Sequence, residues 1–116
     1  LDIPDGVEVY EIDGPFFFGL ASKIDEFDRF RDEQLKVRVI RMRRVPFMDS
    51  TGLNNLRNLY LRSKKEGIQM VLSGVTEKVH ATLRKSGFAH EIGEENILPH
   101  ITPAMKRATE LLNANN

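Results

Sequence analysis

Hydrophobic residues change their spacing several times along the chain, and each change predicts a new element of secondary structure. Residues 7–12 mix apolar and acidic side chains in the pattern of a strand with one exposed face. Residues 16–18 are three phenylalanines after a turn sequence, and they predict a short strand that is apolar on both faces. From Leu20 the apolar residues follow helical spacing, and residues 37–42 return to the pattern of a strand.

The middle of the chain continues this alternation of helices and strands. A long amphipathic helix follows a loop at residues 45–52, and Gly67 ends that helix after a basic last turn. Residues 68–73 are mostly apolar and predict a further strand. Thr76 is placed to cap the next helix, which Gly87 ends.

The last helix is predicted to begin with Thr102 as its N-cap and Pro103 as its first helical residue, after a short apolar segment at residues 88–92. The order of elements predicts a single α/β domain over residues 1–116, with a mixed, mostly parallel β-sheet covered by helices. Residues 16–18 would then lie beside the first strand as an antiparallel hairpin at one edge of the sheet.

Composition narrows the classes of function. The 116 residues include 17 Lys+Arg and 17 Asp+Glu, so the formal net charge is zero and no basic excess supports nucleic-acid binding. No stretch of the sequence approaches the roughly 20 apolar residues that a membrane helix needs. The absence of cysteine removes disulfides, thiolate metal sites and cysteine nucleophiles. The three histidines stand at no ligand spacing, so we predict neither a metal site nor a cofactor.

The best candidate for chemistry is the loop of Asp49, Ser50, Thr51 and Gly52. In α/β sheets, ligands collect beyond the carboxyl ends of the strands, where helix N-termini present free N–H groups. This loop therefore predicts an anion or nucleotide site, or a phosphorylation site at Ser50. The alternative is an ordinary N-cap, because Asp, Ser and Thr are the commonest caps. We predict no catalytic residue, because Ser50 has no identifiable base and no glycine-rich phosphate loop is present.

Two further sets of residues are weaker candidates. Gly19, Leu20 and Ala21 form a second strand-to-helix junction and a second candidate anion site. Arg41 and Arg43 share one face of their strand and are candidates for contacts to an anion or to a partner. The alternative for both arginines is a solvated or internally paired strand end.

Several motifs together resemble the STAS domain, the fold shared by sulfate transporters and anti-sigma-factor antagonists. The sequence VPFMDSTGL at residues 45–53 resembles the signature loop of that family. The opening, VEVYEI at residues 7–12 and GPFFFG at residues 14–19, resembles the STAS domain of bacterial SulP anion transporters. Three later segments resemble further family landmarks: LSG at 72–74, SGF at 86–88 and IGEENI at 92–97.

The resemblance implies that residues 1–116 are the cytoplasmic C-terminal domain, excised from a SulP-type transporter of sulfate-like anions in the inner (plasma) membrane. The implied role is regulation and interaction. The implied partners are the transmembrane domain of the same polypeptide, a second copy of the parent transporter and a cytosolic regulatory protein. In the antagonist branch the serine after the loop aspartate is phosphorylated, which is Ser50 here. The alternative is therefore a free-standing anti-sigma-factor antagonist, although the aromatic opening at residues 14–19 favours the transporter branch.

Overall fold

Three parallel strands form the centre of the fold in a computed structural model that describes residues 1–14, 17–29 and 34–114. The strands are β1 (Val7–Asp13), β2 (Val37–Arg44) and β3 (Gln69–Ser73), in the spatial order β1-β2-β3. The helices are α1 (Leu20–Arg29), α2 (Ser50–Lys65), α3 (Glu77–Ser86), α4 (Phe88–Ile92) and α5 (Ile101–Ala114), with a 3-10 turn at Glu94–Asn96. Val39 on β2 is opposite Val9 on β1 and Val71 on β3, which sets the register.

The sheet is buried on both faces, and the helices divide unevenly between them. Ile40, Met42 and Leu72 lie in a cluster with buried residues of α1, α2, α3 and α4. The opposite face contributes Val39 and Val71 to a smaller cluster with α5. Because neighbouring strand residues point to opposite faces, consecutive apolar residues supply both clusters, as Val39 and Ile40 do on β2 and Val71 and Leu72 do on β3. The predicted α/β class, with helices packed on a largely parallel sheet, is confirmed.

The structure corrects the prediction of a strand at residues 16–18. Phe18 lies in a turn and Phe17 directly before it, while Phe16 falls outside the described residues. Phe17 has a φ of +62°, which is incompatible with an extended strand, and its side chain is buried whereas that of Phe18 is 78% exposed. The neighbour of β1 is the parallel strand β2, so the expected antiparallel hairpin is not formed by the residues described. An apolar run without alternation fits a buried turn as well as a strand.

One predicted helix boundary is confirmed and another is shifted. Thr76 Oγ1 accepts a hydrogen bond from Val79 N at 3.2 Å and caps α3, as the sequence predicts. Helix α5, however, begins at Ile101, so Thr102 and Pro103 lie inside its first turn. The first three residues of a helix make no N–H bond within it, so a proline is tolerated at the third position as well as at the first.

A charged contact attaches the 3-10 turn to α3 and predicts a pH dependence. Glu94 Oε1 lies 2.9 Å from Arg84 Nε and 2.9 Å from His80 Nε2. The hydrogen bond from Arg84, assisted by His80, holds the pKa of Glu94 below its ordinary value. Because the pKa is lower in the folded state, the contact stabilises the fold above the pKa of the unfolded chain. This stabilisation is lost as the pH falls through the folded pKa.

We therefore expect Glu94→Gln to be less stable than the wild type at pH 7, by a margin that narrows towards pH 3. Urea unfolding at both pH values measures the difference, and Glu95→Gln, which removes the neighbouring carboxylate, is the control. A gap between wild type and Glu94→Gln that stayed constant from pH 7 to pH 3 would contradict the assignment.

Candidate functional site

The loop between β2 and α2 is held in place by its own aspartate and by apolar side chains. Val45 and Met48 are buried and anchor the loop in the larger core cluster. Asp49 is the N-cap of α2, and its Oδ1 accepts a hydrogen bond from Gly52 N at 2.9 Å. A cap of this kind contributes about 1 kcal/mol to helix stability. The alternative of an ordinary cap therefore holds for Asp49.

The two hydroxyl residues of the loop do not form the N-cap of α2. Ser50 and Thr51 are the first two residues of α2 and both are exposed, while Gly52 is buried beneath them. Because Asp49 already caps the helix, the exposed Ser50 hydroxyl is not needed for that bond. The free N–H groups of the first turn favour negative charge at this position, although the Asp49 carboxylate opposes it. The four predicted residues are consecutive in the chain, and the structure places them at the N-cap and in the first turn of α2.

An exposed aromatic residue adjoins this loop, and the sequence analysis did not single it out. Phe47 is 43% exposed, and the Nζ atom of Lys78 on α3 lies 5.9 Å from the centre of its ring. A cation at this distance from an aromatic face is attracted by it. The sequence did contain a signal for Phe47, because it is an apolar residue in a loop whose later positions are polar. Three residues before Ser50, the surface therefore combines an exposed aromatic ring with a cation.

The second candidate site lies in a cavity of about 400 Å³ between the start of α1 and the side of α2. Gly19, Leu20 and Ala21 line one wall with Phe17 and Phe18, and the opposite wall comes from α2: Asn55, Asn58, Leu59 and Arg62. The spacing of positions 55, 58 and 62 in the sequence already places these three α2 residues on one helical face. Arg62 forms ion pairs with carboxylates of α1, so the positive charge at this wall is already compensated.

The two arginines predicted as contacts to an anion or a partner, Arg41 and Arg43, have different environments in the structure. Arg43 Nε lies 2.5 Å from Oε1 of Glu11 on the neighbouring strand, and Arg44 Nε lies 3.6 Å from the same oxygen. The hydrogen bond from Arg43 is the main reason why the pKa of Glu11 is below its ordinary value. Arg43 therefore fits the alternative of an internally paired strand end. Arg41 is half-buried and lies opposite Ser73 of β3.

The structure describes residues 1–14, 17–29 and 34–114, and no helix among them is long and apolar enough to cross a membrane. Within the same ranges, no cluster of three or more histidine or acidic residues is arranged to hold a metal ion.

Comparison with known proteins identifies relatives for almost the whole chain. Residues 1–108 match the family model described as "STAS domain". A sulfate transporter family protein from Wolinella succinogenes is 39% identical, with a TM-score of 0.85, and the match covers 97% of this chain and 93% of that one. The STAS domain of a SulP transporter from Vibrio cholerae is 31% identical with the same TM-score, 0.85, and the match covers 97% and 88%.

The curated relatives are much longer than the matched segment. The putative sulfate transporter YvdB of Bacillus subtilis is 29% identical over 95 residues, which is 81% of this chain and 18% of that protein. The chain likewise spans 18% of the probable sulfate transporter 4.2 of Arabidopsis thaliana, to which it is 26% identical. The chain thus corresponds to about a fifth of the length of the curated proteins it matches.

Proposed function

This chain belongs to the STAS domain family, with close relatives in the SulP sulfate transporters, and on that premise we propose that it is the cytoplasmic regulatory and interaction domain of a SulP-type anion transporter. The observation that carries the proposal is the pair of solved relatives, 39% and 31% identical, which are both described as belonging to sulfate transporters. The length of the curated relatives supports it, since 82% of YvdB lies outside the match (100% minus 18%).

In this proposal the anion pathway belongs to the transmembrane domain of the same polypeptide, and this domain controls it from the cytoplasmic face of the inner membrane. We assign to a regulatory partner the exposed start of α2 at Ser50, together with Phe47, which precedes it in the loop, and Lys78, which lies over the Phe47 ring. An anion or a phosphoryl group on Ser50 would change the charge of that surface by up to about two units without removing the Asp49 cap. A second copy of the transporter is a further candidate partner.

The proposal gives the domain no catalytic step. Within the described residues, no basic side chain forms a hydrogen bond with the Ser50 hydroxyl. We therefore assign Ser50 no role as a nucleophile. The alternative of a free-standing anti-sigma-factor antagonist shares the loop and Ser50. The aromatic opening and the transporter relatives favour the transporter.

Cell fractionation tests the proposed context. An antibody raised against this domain should detect, in the membrane fraction of the native cells, a polypeptide several times larger than 13.3 kDa. A soluble band near the mass of the domain itself would overturn the transporter assignment and would favour the antagonist alternative.

Anion uptake by the full-length protein tests the role of the loop. We expect Ser50→Asp to change the uptake rate several-fold, because it places a permanent charge at the exposed start of α2. Asn54→Asp is the matched control, since it adds the same charge at an exposed position one turn further along the helix. Equal uptake in wild type and Ser50→Asp, or an equal change in both variants, would refute a regulatory role for this position.

A further inference from the structure

The outer edge of β3, which faces away from β2, is paired along only part of its length. On the inner edge, Gln69 N donates a hydrogen bond of 2.9 Å to Lys36 O, and β2 pairs with the whole of β3. On the outer edge, Leu72 O accepts a hydrogen bond of 2.9 Å from Leu98 N. Because successive residues of a strand direct their N–H and C=O groups to opposite edges, Met70 presents both groups outward, as Leu72 does.

The outward groups of Met70 have no hydrogen-bond partner in the part of the chain that the structure describes. Leu72 is bridged to Ile97, so a continued parallel pairing would bring Glu95 opposite Met70, but Glu95 lies in the 3-10 turn and not in a strand. The side chain of Asn96 does not take its place, because its Nδ2 donates to a main-chain oxygen of α4 at 2.7 Å and its Oδ1 accepts from a side chain of α5 at 2.8 Å. An unpaired N–H and C=O at the edge of a sheet are the groups to which an added strand bonds.

A cavity of about 290 Å³ adjoins this edge, close in volume to the smaller ligand pockets of proteins. Ile68, Met70 and Ile92 contribute apolar surface to it. Tyr60 and Lys64 line it from the last turns of α2, and Lys64 Nζ lies 6.0 Å from the centre of the Tyr60 ring. Lys64 is exposed and is the charged residue among the described residues that line the cavity. The cavity therefore offers an apolar interior with a positive charge beside it.

We propose that the outer edge of β3 binds an extended segment of a partner protein as an added strand, through the N–H and C=O of Met70, an apolar side chain in the cavity and an acidic side chain at Lys64. In such complexes the main-chain hydrogen bonds supply affinity, and pockets for alternate side chains supply specificity. The site is separate from the Ser50 loop, because Ser50 and Tyr60 are ten residues apart on α2, or about 15 Å along its axis. The inference therefore does not depend on the proposed function.

Hydrogen exchange of the wild type, read for each amide by NMR, tests whether the edge is open. A chain of this length folds on its own, since its matches cover 93% and 88% of the two solved relatives. We expect the Met70 amide to exchange at least about 100-fold faster than the Gln69 amide, because Gln69 N is bonded to Lys36 O and Met70 N faces the cavity. Equal protection of the two amides would show that the edge is already closed and would overturn the proposal.

Selection of random short peptides displayed on phage, with the domain as bait, tests the ligand. The selected peptides should carry alternating apolar residues with an acidic residue close by, and they should slow the exchange of the Met70 amide. Methylation of every second backbone nitrogen of such a peptide should weaken its binding more than about tenfold in one register and less than about twofold in the other, because only alternate residues of an added strand bond to β3. Failure to enrich any peptide, or equal losses in both registers, would overturn the proposal.

Lys64→Glu and Lys65→Glu form a matched pair of variants. Both reverse an exposed charge in the last turn of α2, but only Lys64 lines the cavity. We expect Lys64→Glu to weaken the binding of a selected peptide about tenfold and Lys65→Glu to weaken it less than about twofold. Equal effects would show that the peptide responds to the general charge of α2 and would contradict the site. Self-association of the domain that protects the Met70 amide would assign the edge to a second copy and would likewise overturn the proposal.

Discussion

Gly74→Ala is expected to destabilise the domain by about 2–4 kcal/mol, which is a large share of the 5–15 kcal/mol typical of a whole domain. Gly74 follows β3 and has a φ of +68°, a conformation that side chains with a Cβ rarely adopt. An added Cβ would also lie 2.8 Å from Arg43 N and 3.0 Å from Arg43 Cα. These are backbone atoms of the neighbouring strand, so no flexible side chain can move aside to relieve the overlap.

Gly67→Ala separates the two causes of this cost. Gly67 ends α2 with a φ of +77°, but no atom lies within 4 Å of the position that its Cβ would take. We expect this variant to lose only about 1 kcal/mol, from backbone strain alone. Urea unfolding of both variants measures the difference. Equal losses would show that the close approach of Arg43 to Gly74 does not constrain the fold.

The elements that the sequence predicts well are those whose pattern is repeated over several turns or residues. Helix α2 was predicted from its apolar face and from Gly67 at its end, and the structure places Leu56 and Leu59 inward as expected. Helix α3 was predicted from its cap at Thr76. This signal is also local, because the capping hydrogen bond joins residues only three positions apart. Local and periodic signals of this kind do not depend on which elements meet in space.

The errors occurred where tertiary contacts determine the structure. Phe17 turns into the core with a positive φ while Phe18 points to solvent, and three identical residues in sequence give no sign of that difference. Arg38 is one of four arginines in residues 37–44, and nothing in that pattern indicates that it is buried beside Ser63. Its burial depends on partners 25 residues away in the chain, which no local pattern of β2 reveals.

In the candidate sites, too, the sequence predicts local contacts but not those between residues distant in the chain. The Asp49 cap follows from a contact three residues apart, so the sequence was sufficient to suggest it. The pairing of Arg43 with Glu11 spans 32 residues, and the cavity at Gly19 requires α1 and α2 to meet. Composition and spacing could indicate which residues carry charge near these positions. They could not indicate which of the charges are already neutralised by a partner.

Leu56→Ala is expected to cost about 2–5 kcal/mol, because it removes a fully buried side chain from the centre of α2. The same helix presents Ser50 at its start and supplies Asn55 and Asn58 to the cavity, so both candidate sites depend on how its inner face packs. Truncation of Leu56 leaves a cavity in the larger core cluster, and the surrounding side chains collapse into it only in part.

Leu61→Ala is the matched control for this effect. Leu61 lies on the same helix and loses the same atoms, but it is 40% exposed, so we expect a cost below about 1 kcal/mol. The midpoints of urea unfolding for the two variants give the comparison, provided that the slopes of the transitions agree. If the two variants were equally stable, the inner face of α2 would not be what holds the Ser50 loop and the cavity wall against the sheet.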